Sequence, residues 1–211
     1  MSTERVIALI DMDCFYVQCE QRLQPDRWGQ PCAVAQYNNW KGGILIAVNY
    51  EARDGGVKRY MRGSEATAVC PDLHVFAVPE VRGKADLTRY RDASQEVFNA
   101  IQESVQSLTA AADIIVEKAS VDEAFVDLTA HVNHTLDQLE PPAVPTGAQL
   151  ADTYLELAPR DDPTAGGNDL GQWLDELRDD NGFLRSDDIR LALAALVVQR
   201  IRAHIADKTQ F

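Results

Sequence analysis

Arg5-Val6-Ile7-Ala8-Leu9-Ile10-Asp11-Met12-Asp13 is the stretch on which the fold turns. After its arginine the run is continuously β-branched or aliphatic, the pattern of a strand buried on both faces. It ends at Asp11 and Asp13, so two carboxylates stand where a buried strand surfaces. A second acidic pair stands far along the chain. Residues 114–119 and 124–128 read as strands joined at Ser120-Val121-Asp122-Glu123, which puts Asp122 and Glu123 at the tight junction of a hairpin. Carboxylates surfacing side by side repel one another unless a cation neutralises them. Hard oxygen ligands in an open site suit Mg²⁺ or Mn²⁺, which keep water and take substrate phosphates into their shell. Two such ions about 4 Å apart lower the pKa of an attacking hydroxyl and stabilise the leaving oxygen in phosphoryl transfer. Strand ends and turns also favour Asp on their own account, and spacing alone leaves both readings open.

The flanking sequence alternates strands and helices. A helix is expected over 15–23, stopped before Pro25, and residues 32–37 and 44–48 read as the two strands of a hairpin with turn chemistry between them. Short helices are expected over 51–57, ended by Gly55-Gly56, and over 64–70, stopped by Pro71, with a strand over 74–78. A long helix over 84–108 carries Leu87, Tyr90, Ser94, Val97, Ile101, Val105 and Leu108 on one face. From 130 to about 170 the chain is rich in Pro, Gly and acids, the composition of an insertion or mobile surface excursion. A last helix over 186–208 has Ile189, Leu193, Leu196, Val197, Ile201 and Ile205 as its buried stripe. The fold class is therefore α+β or α/β. Tyr50 and Arg53, three apart, share a face if helical; with Arg59 and Arg62 they offer the planar donor forks that grip a triphosphate. Gly42-Gly43 reads as a turn, His131 and His134 as surface polar residues, and Trp28 and Trp173 as core or staple residues, with Trp40 as a loop anchor.

The chain has 211 residues, 45% hydrophobic and 25% charged, enough for a real core and far from the composition of a disordered or coiled-coil protein. Its four cysteines form no C-x-x-C pair and read as reduced thiols of a soluble intracellular protein. No apolar run reaches the roughly 18–20 residues that span a bilayer, so no membrane partner is expected. The net charge of −13 argues against a free-standing nucleic-acid binder. Residues 41–91 run against that average, with nine basic residues to six acids.

Seven segments, taken in order, resemble one family closely. They are Asp11-Met12-Asp13-Cys14-Phe15-Tyr16, Cys32-Ala33-Val34-Ala35-Gln36-Tyr37, Trp40-Lys41-Gly42-Gly43 and Tyr50-Glu51-Ala52-Arg53, then Cys70-Pro71-Asp72-Leu73, Arg82-Gly83-Lys84-Ala85 with Tyr90-Arg91, and the run from Ala119 to Thr129. The chain resembles the Y-family translesion DNA polymerases, and their eta-like branch most, over essentially its whole length and most weakly across 131–168.

The resemblance implies an α+β polymerase palm, an antiparallel sheet flanked by helices, with a small fingers subdomain. The palm would take 1–15 and 85–211, with an irregular insertion at about 131–168, and the fingers 16–84. Asp11, Asp122 and Glu123 match the catalytic carboxylates that hold two Mg²⁺, with Mn²⁺ as a substitute, and Met12 would lend its carbonyl to a metal. Tyr16 stands at the aromatic steric gate that rejects ribonucleotides, and Cys14 and Phe15 would give backbone contacts to the incoming triphosphate. Tyr50 and Arg53 match the triphosphate grip, and Gln36, Ile46 and Arg59 match fingers residues over the template base and incoming nucleotide. Asp13 would support without ligating. The implied activity is template-directed addition of dNTPs to a primer 3′-OH, including opposite UV-damaged bases. The implied partners are primer–template DNA and dNTP, the implied location nuclear.

Thumb and little-finger segments of the family have no counterpart in the chain, and clamp- or ubiquitin-binding elements would lie beyond Phe211. Two other readings stay open: a catalytically silent truncated fragment that binds metal, nucleotide or a partner, and a palm-fold nucleotide cyclase, which needs paired carboxylates but no fingers segment.

Overall fold

The computed structural model describes residues 4–37, 41–108, 113–138, 145–154, 173–174 and 186–211. In chain order the elements are β1 (Ile7–Asp11), α1 (Phe15–Leu23), β2 (Cys32–Gln36), β3 (Ile44–Val48), α2 (Tyr50–Asp54), α3 (Gly63–Val69), β4 (His74–Ala77), β5 (Glu80–Val81), β6 (Lys84–Ala85), α4 (Thr88–Gln106), β7 (Ile115–Lys118), β8 (Glu123–Asp127), α5 (Thr129–Gln138) and α6 (Ser186–Thr209). They fall into two units, one of residues 1–10, 99–118 and 124–209, the other of residues 11–98, 119–123 and 210–211. The fold is mixed α+β.

In the unit that includes 11–98, β2 and β3 pair antiparallel, Ala33 opposite Val48 and Gln36 opposite Ile44, with a register shift at Val34/Ala35. β4 then pairs with β2 in parallel, giving the order β3-β2-β4. A parallel return needs a crossover, and α2 and α3 lie within it. Their apolar faces pack on the sheet through Ala33, Leu45, Val48, Ala52, Val57, Ala66 and Leu73, all buried. Small residues at 33, 35, 52 and 66 let the short helices lie close to the strands. Truncating Leu45, fully buried, to alanine is worth about 2–5 kcal/mol. Gly42 and Gly63 explain one another: Gly42 has φ +73°, and a Cβ on Gly63 would overlap the Gly42 carbonyl. Gly63 N–H donates to Gly43 O and Ser64 N–H to Lys41 O, so Gly42-Gly43 is a backbone-to-backbone contact as well as a turn. Residues 38–40, with Trp40, lie outside the described residues.

The other unit holds the sheet β1-β8-β7. Val6 O accepts from Leu128 N–H at one end of the β1–β8 pair and Met12 N–H donates to Asp122 O at the other, so these strands are antiparallel, as are β7 and β8. α5 and α6 pack together. The buried Arg190 of α6 donates to Asn133 Oδ1 of α5 at 3.0 Å and to the Glu4 carbonyl at 2.6 Å. A second apolar cluster gathers Leu150, Leu174 and Ala192, with Trp173 against it. Among the described residues no helix is long and apolar enough to cross a membrane.

Four expectations change. β1 is buried on one face only: Val6 and Ile10 are covered, whereas Ile7 and Leu9 are 43% and 54% exposed, because the described residues leave that face of the sheet uncovered, Phe125 of the central strand β8 being exposed on it as well. The long helix begins at Thr88, not 84; Lys84 and Ala85 belong to a hairpin turned by Arg82 and Gly83, both at positive φ, and the Asp86 carboxylate accepts the Thr88 N–H. The Pro-rich segment does not start irregular. Residues 129–138 are helical, since Pro141 restricts the backbone only near itself, and this buries His131, expected at the surface, beside Val132. The rest of that segment, apart from 145–154, lies outside the described residues, as do Pro159 and Pro163. Trp28 is 44% exposed rather than a core residue, because it sits just past a single 3₁₀ turn over Pro25–Arg27 that presents no buried side chain.

Candidate active site

The end of β1, the first turn of α1, β3, α2 and the β7–β8 junction close around a cavity of about 560 Å³. It is lined by residues 11–16, 46–48 and 120–123 together with Tyr50, Arg53 and Arg59. Met12 N–H donates to Asp122 O at 3.0 Å, which fixes the strand end to the hairpin junction and brings Asp11 to Asp122 and Glu123. The junction is tight because Ala119 and Ser120 N–H both donate to Glu123 O. Ser120 Oγ in turn donates to Asp122 Oδ1 at 2.7 Å, which holds that carboxylate in place.

The acids act on one another. Asp11 is pushed above the usual carboxylate range, first by burial and then by repulsion from Asp122, Glu123 and Asp13. Among the described residues no three acidic, His or Cys side chains are drawn into a ready-made metal cage. The donors nevertheless suit a hard divalent cation: they are carboxylate oxygens, they crowd negative charge, and the open cavity leaves room for water and phosphate in the shell. Asp13 is otherwise engaged, since Tyr50 Oη donates to its Oδ1 at 2.6 Å and that bond raises the phenol's pKa.

The opposite wall is basic and held by backbone. Asn49 caps α2, its Oδ1 accepting from Ala52 N–H at 3.1 Å and from Cys32 N–H at 2.8 Å, while its Nδ2 donates to Gln30 O. One buried amide thereby seats the short helix that carries Tyr50 and Arg53. Arg53 Nε donates to Val48 O at 3.0 Å, and its guanidinium lies 5.0 Å from the centre of the Tyr50 ring. Its Nη2 reaches Cys14 Sγ at 3.5 Å, and burial raises the Cys14 thiol although Arg53 opposes the shift. Arg59 lies over the Tyr60 ring at 5.1 Å. Cys14 adopts φ 47° at the N-terminus of α1, so the positive end of that helix dipole meets the cavity. The Tyr16 ring stacks on Tyr90, centroids 4.3 Å apart at 25°; burial, then the charge of Asp122, raises its phenol.

The cavity thus gathers Asp11, Met12, Asp122, Glu123, Cys14, Phe15, Tyr16, Ile46, Tyr50, Arg53 and Arg59. It does not gather Gln36, which lies on β2 opposite Ile44, one strand further out. Arg62, read with the triphosphate grip, is also absent from the lining. Sequence reading passes over Asn49, Ser120 and Glu20. Asn immediately before Tyr50-Glu51-Ala52-Arg53 is an N-cap signal that points to the first; the other two act through contacts no spacing reveals.

The comparisons with known proteins agree with one another. DNA polymerase eta of Arabidopsis thaliana is 40% identical over the whole chain, which covers 29% of that protein. DNA polymerase eta of Drosophila melanogaster is 38% identical over 99% of the chain and 24% of its own length. DNA polymerase iota of Homo sapiens is 37% identical over 66% of the chain and 16% of its length. The chain thus spans about a quarter of the length of the curated eta relatives it matches. The family described as impB/mucB/samB matches residues 10–211, a range that takes in every residue lining the cavity. The chain belongs to the impB/mucB/samB family, the Y family of DNA polymerases.

Proposed function

We propose that this cavity is the nucleotidyl-transfer centre of a template-directed translesion DNA polymerase, which adds dNTPs to a primer 3′-OH, also opposite UV-damaged bases. The observation that carries the reading is the meeting of three carboxylates, Asp11, Asp122 and Glu123, with a backbone-anchored Arg53 across one cavity. Such a pairing suits a substrate that is both metal-chelating and polyanionic. Two divalent cations, Mg²⁺ or Mn²⁺, held by Asp11, Asp122, Glu123 and the Met12 carbonyl, would lower the pKa of the primer hydroxyl and offset charge on the reacting phosphate. Arg53 and Tyr50 grip the triphosphate, and the first turn of α1, with the backbone of Cys14 and Phe15, adds its positive end. Arg53 cannot swing freely, because its Nε is committed to Val48 O; its remaining donors are aimed in advance. Tyr16 sets a ring against the sugar 2′ position, and Ile46 and Arg59 cover the nascent base pair, with Gln36 contributing from β2. Asp13 supports by fixing Tyr50.

In this reading 1–15 and 85–211 serve as palm and 16–84 as fingers. Primer–template DNA and dNTP are the partners, and the eukaryotic sources of the eta relatives support a nuclear location. Primer extension with Mg²⁺ and four dNTPs, run for the chain and for Asp122→Ala, tests the assignment. Template-dictated products lost in the variant are expected. Products of equal yield in the variant, or nucleotide addition that ignores the template, would contradict it.

A further inference from the structure

The wall behind the Tyr16 ring contains a buried charge that the proposed chemistry leaves unused. Glu20 is 3% exposed and stands four residues beyond Tyr16 on α1, hence on the same face of the helix. Its carboxylate accepts the Tyr90 hydroxyl at 2.6 Å and Arg89 Nη1 on both oxygens, at 3.0 and 2.9 Å. Tyr90, on the first turn of α4, is fully buried and lays its ring against that of Tyr16. One residue of α4 is therefore gripped twice by α1, by its ring through Tyr16 and by its hydroxyl through Glu20. Burying a carboxylate is expensive even when it is paired, and an apolar contact would join the helices at lower cost. What the buried hydrogen bond adds is angle: a phenol held at its hydroxyl cannot rotate or slide, and so the ring stacked on it cannot either. The strongly raised pKa of Tyr90, from burial and then from this bond, keeps the hydroxyl a permanent donor.

We infer that Glu20 and Tyr90 are positioning residues for sugar selection: the Glu20–Tyr90 hydrogen bond fixes the plane of the Tyr16 ring, and discrimination against ribonucleotides depends on it. The inference rests on the reading of Tyr16 as the gate. Arg89 orients the carboxylate from the solvent side. The mechanism differs from a plain staple between helices in one respect. A staple stabilises the fold whether or not Tyr16 is present, whereas a positioning bond has nothing to position once the Tyr16 ring is gone.

The test is direct titration of the 211-residue chain with dATP and with ATP, in Mg²⁺, reading the ratio of the two dissociation constants. Four proteins suffice: wild type, Tyr16→Ala, Tyr90→Phe and the double variant. Tyr90→Phe deletes only the hydroxyl and leaves the stacked ring. It is expected to lower the ratio about fivefold, the scale of one buried hydrogen bond, and to leave dATP affinity within about twofold. In the Tyr16→Ala background the same change is expected to do nothing further, a non-additivity that a purely structural role cannot produce. Glu20→Gln, which keeps an acceptor for the hydroxyl, is expected to retain more of the ratio than Glu20→Ala. A wild-type ratio in Tyr16→Ala, or no nucleotide binding at all, would remove the gate reading and this inference with it. A collapsed ratio in Tyr16→Ala beside a wild-type ratio in Tyr90→Phe would overturn the inference alone, as would an equal loss in both backgrounds.

Discussion

The two walls of the cavity are built in opposite ways. On the acidic wall Asp11, Asp122 and Glu123 converge from a strand end and a hairpin junction, and burial, then their mutual repulsion, raises the pKa of Asp11. On the basic wall Arg53 is tied to Val48 O, Tyr50 to Asp13, and the helix beneath them to Asn49. The first wall is strained by its own charge and gains from a counter-ion; the second is satisfied by backbone and is already shaped for an anion. If the proposed roles hold, folding pre-organises the wall assigned to substrate recognition. The wall assigned to the chemistry is left electrostatically incomplete, with the backbone bond from Met12 to Asp122 tying the strand end to the hairpin junction.

Breaking the acidic wall has the largest consequence. Asp122→Ala removes the carboxylate fixed by Ser120 and is expected to lower primer extension at least about a hundredfold, the scale of losing a group that stabilises transition-state charge. The unfolding transition should stay near wild type, because relieving repulsion costs no packing. Activity within a fewfold of wild type in a kinetic assay would take the chemistry away from this wall.

Arg53→Ala breaks the basic wall. Loss of a charge-assisted contact to the triphosphate should weaken dNTP binding about tenfold to a hundredfold. Filter or calorimetric titration distinguishes this from a defect confined to DNA affinity, which would count against the grip. Asn49→Ala sharpens the comparison from beneath. It unseats α2 and frees buried N–H groups at Cys32 and Ala52, and is expected to cost about 1–2 kcal/mol in denaturant unfolding. An unchanged midpoint would show that α2 is held by its apolar face alone.

The smallest effect lies in the other unit, at Asp127. Burial works to raise this carboxyl, but hydrogen bonds from Thr129 and Arg5 outweigh it and hold the group below the usual range. A carboxylate lowered by folding contributes fully above the ordinary value near pH 4, and its contribution fades as the pH falls through the lowered value. Asp127→Asn should therefore cost about 1 kcal/mol at neutral pH, discounted for the exposed Arg5, and make the acid limb of the stability curve shallower. An identical acid limb in the two proteins would contradict the assignment.

Much of this is legible in the chain, for physical reasons that differ from residue to residue. β3 over Ile44–Val48 and α1 over Phe15–Leu23 lie where they are expected, because apolar period and turn residues act locally. The carboxylates and Tyr50/Arg53 are visible because strand ends and helix spacing bring them to one place. The hidden features depend on partners distant in sequence. That Ile7 and Leu9 stay exposed results from a sheet face that the described residues leave uncovered, at Phe125 of the central strand too, which apolarity alone does not reveal. The start of α5 is marked by Asp127, whose carboxylate accepts the Thr129 N–H, a local signal outweighed in the sequence by the prolines beyond it. Gly63 matters only because Gly42 lies against it, and Glu20 only because Tyr90, seventy residues on, reaches its carboxylate.

The claim that joins these threads is that the two walls act on one ligand, a metal-bound nucleoside triphosphate. Calorimetric titration of dATP into the 211-residue chain, with Mg²⁺ and again with EDTA, and repeated for Asp122→Ala and Arg53→Ala, tests it most directly. Binding in Mg²⁺ that weakens about tenfold or more in EDTA and in each variant is the expected result, the scale of charge-assisted contacts. Binding that is indifferent to the metal and to Asp122, or no binding with the fold intact, would contradict it.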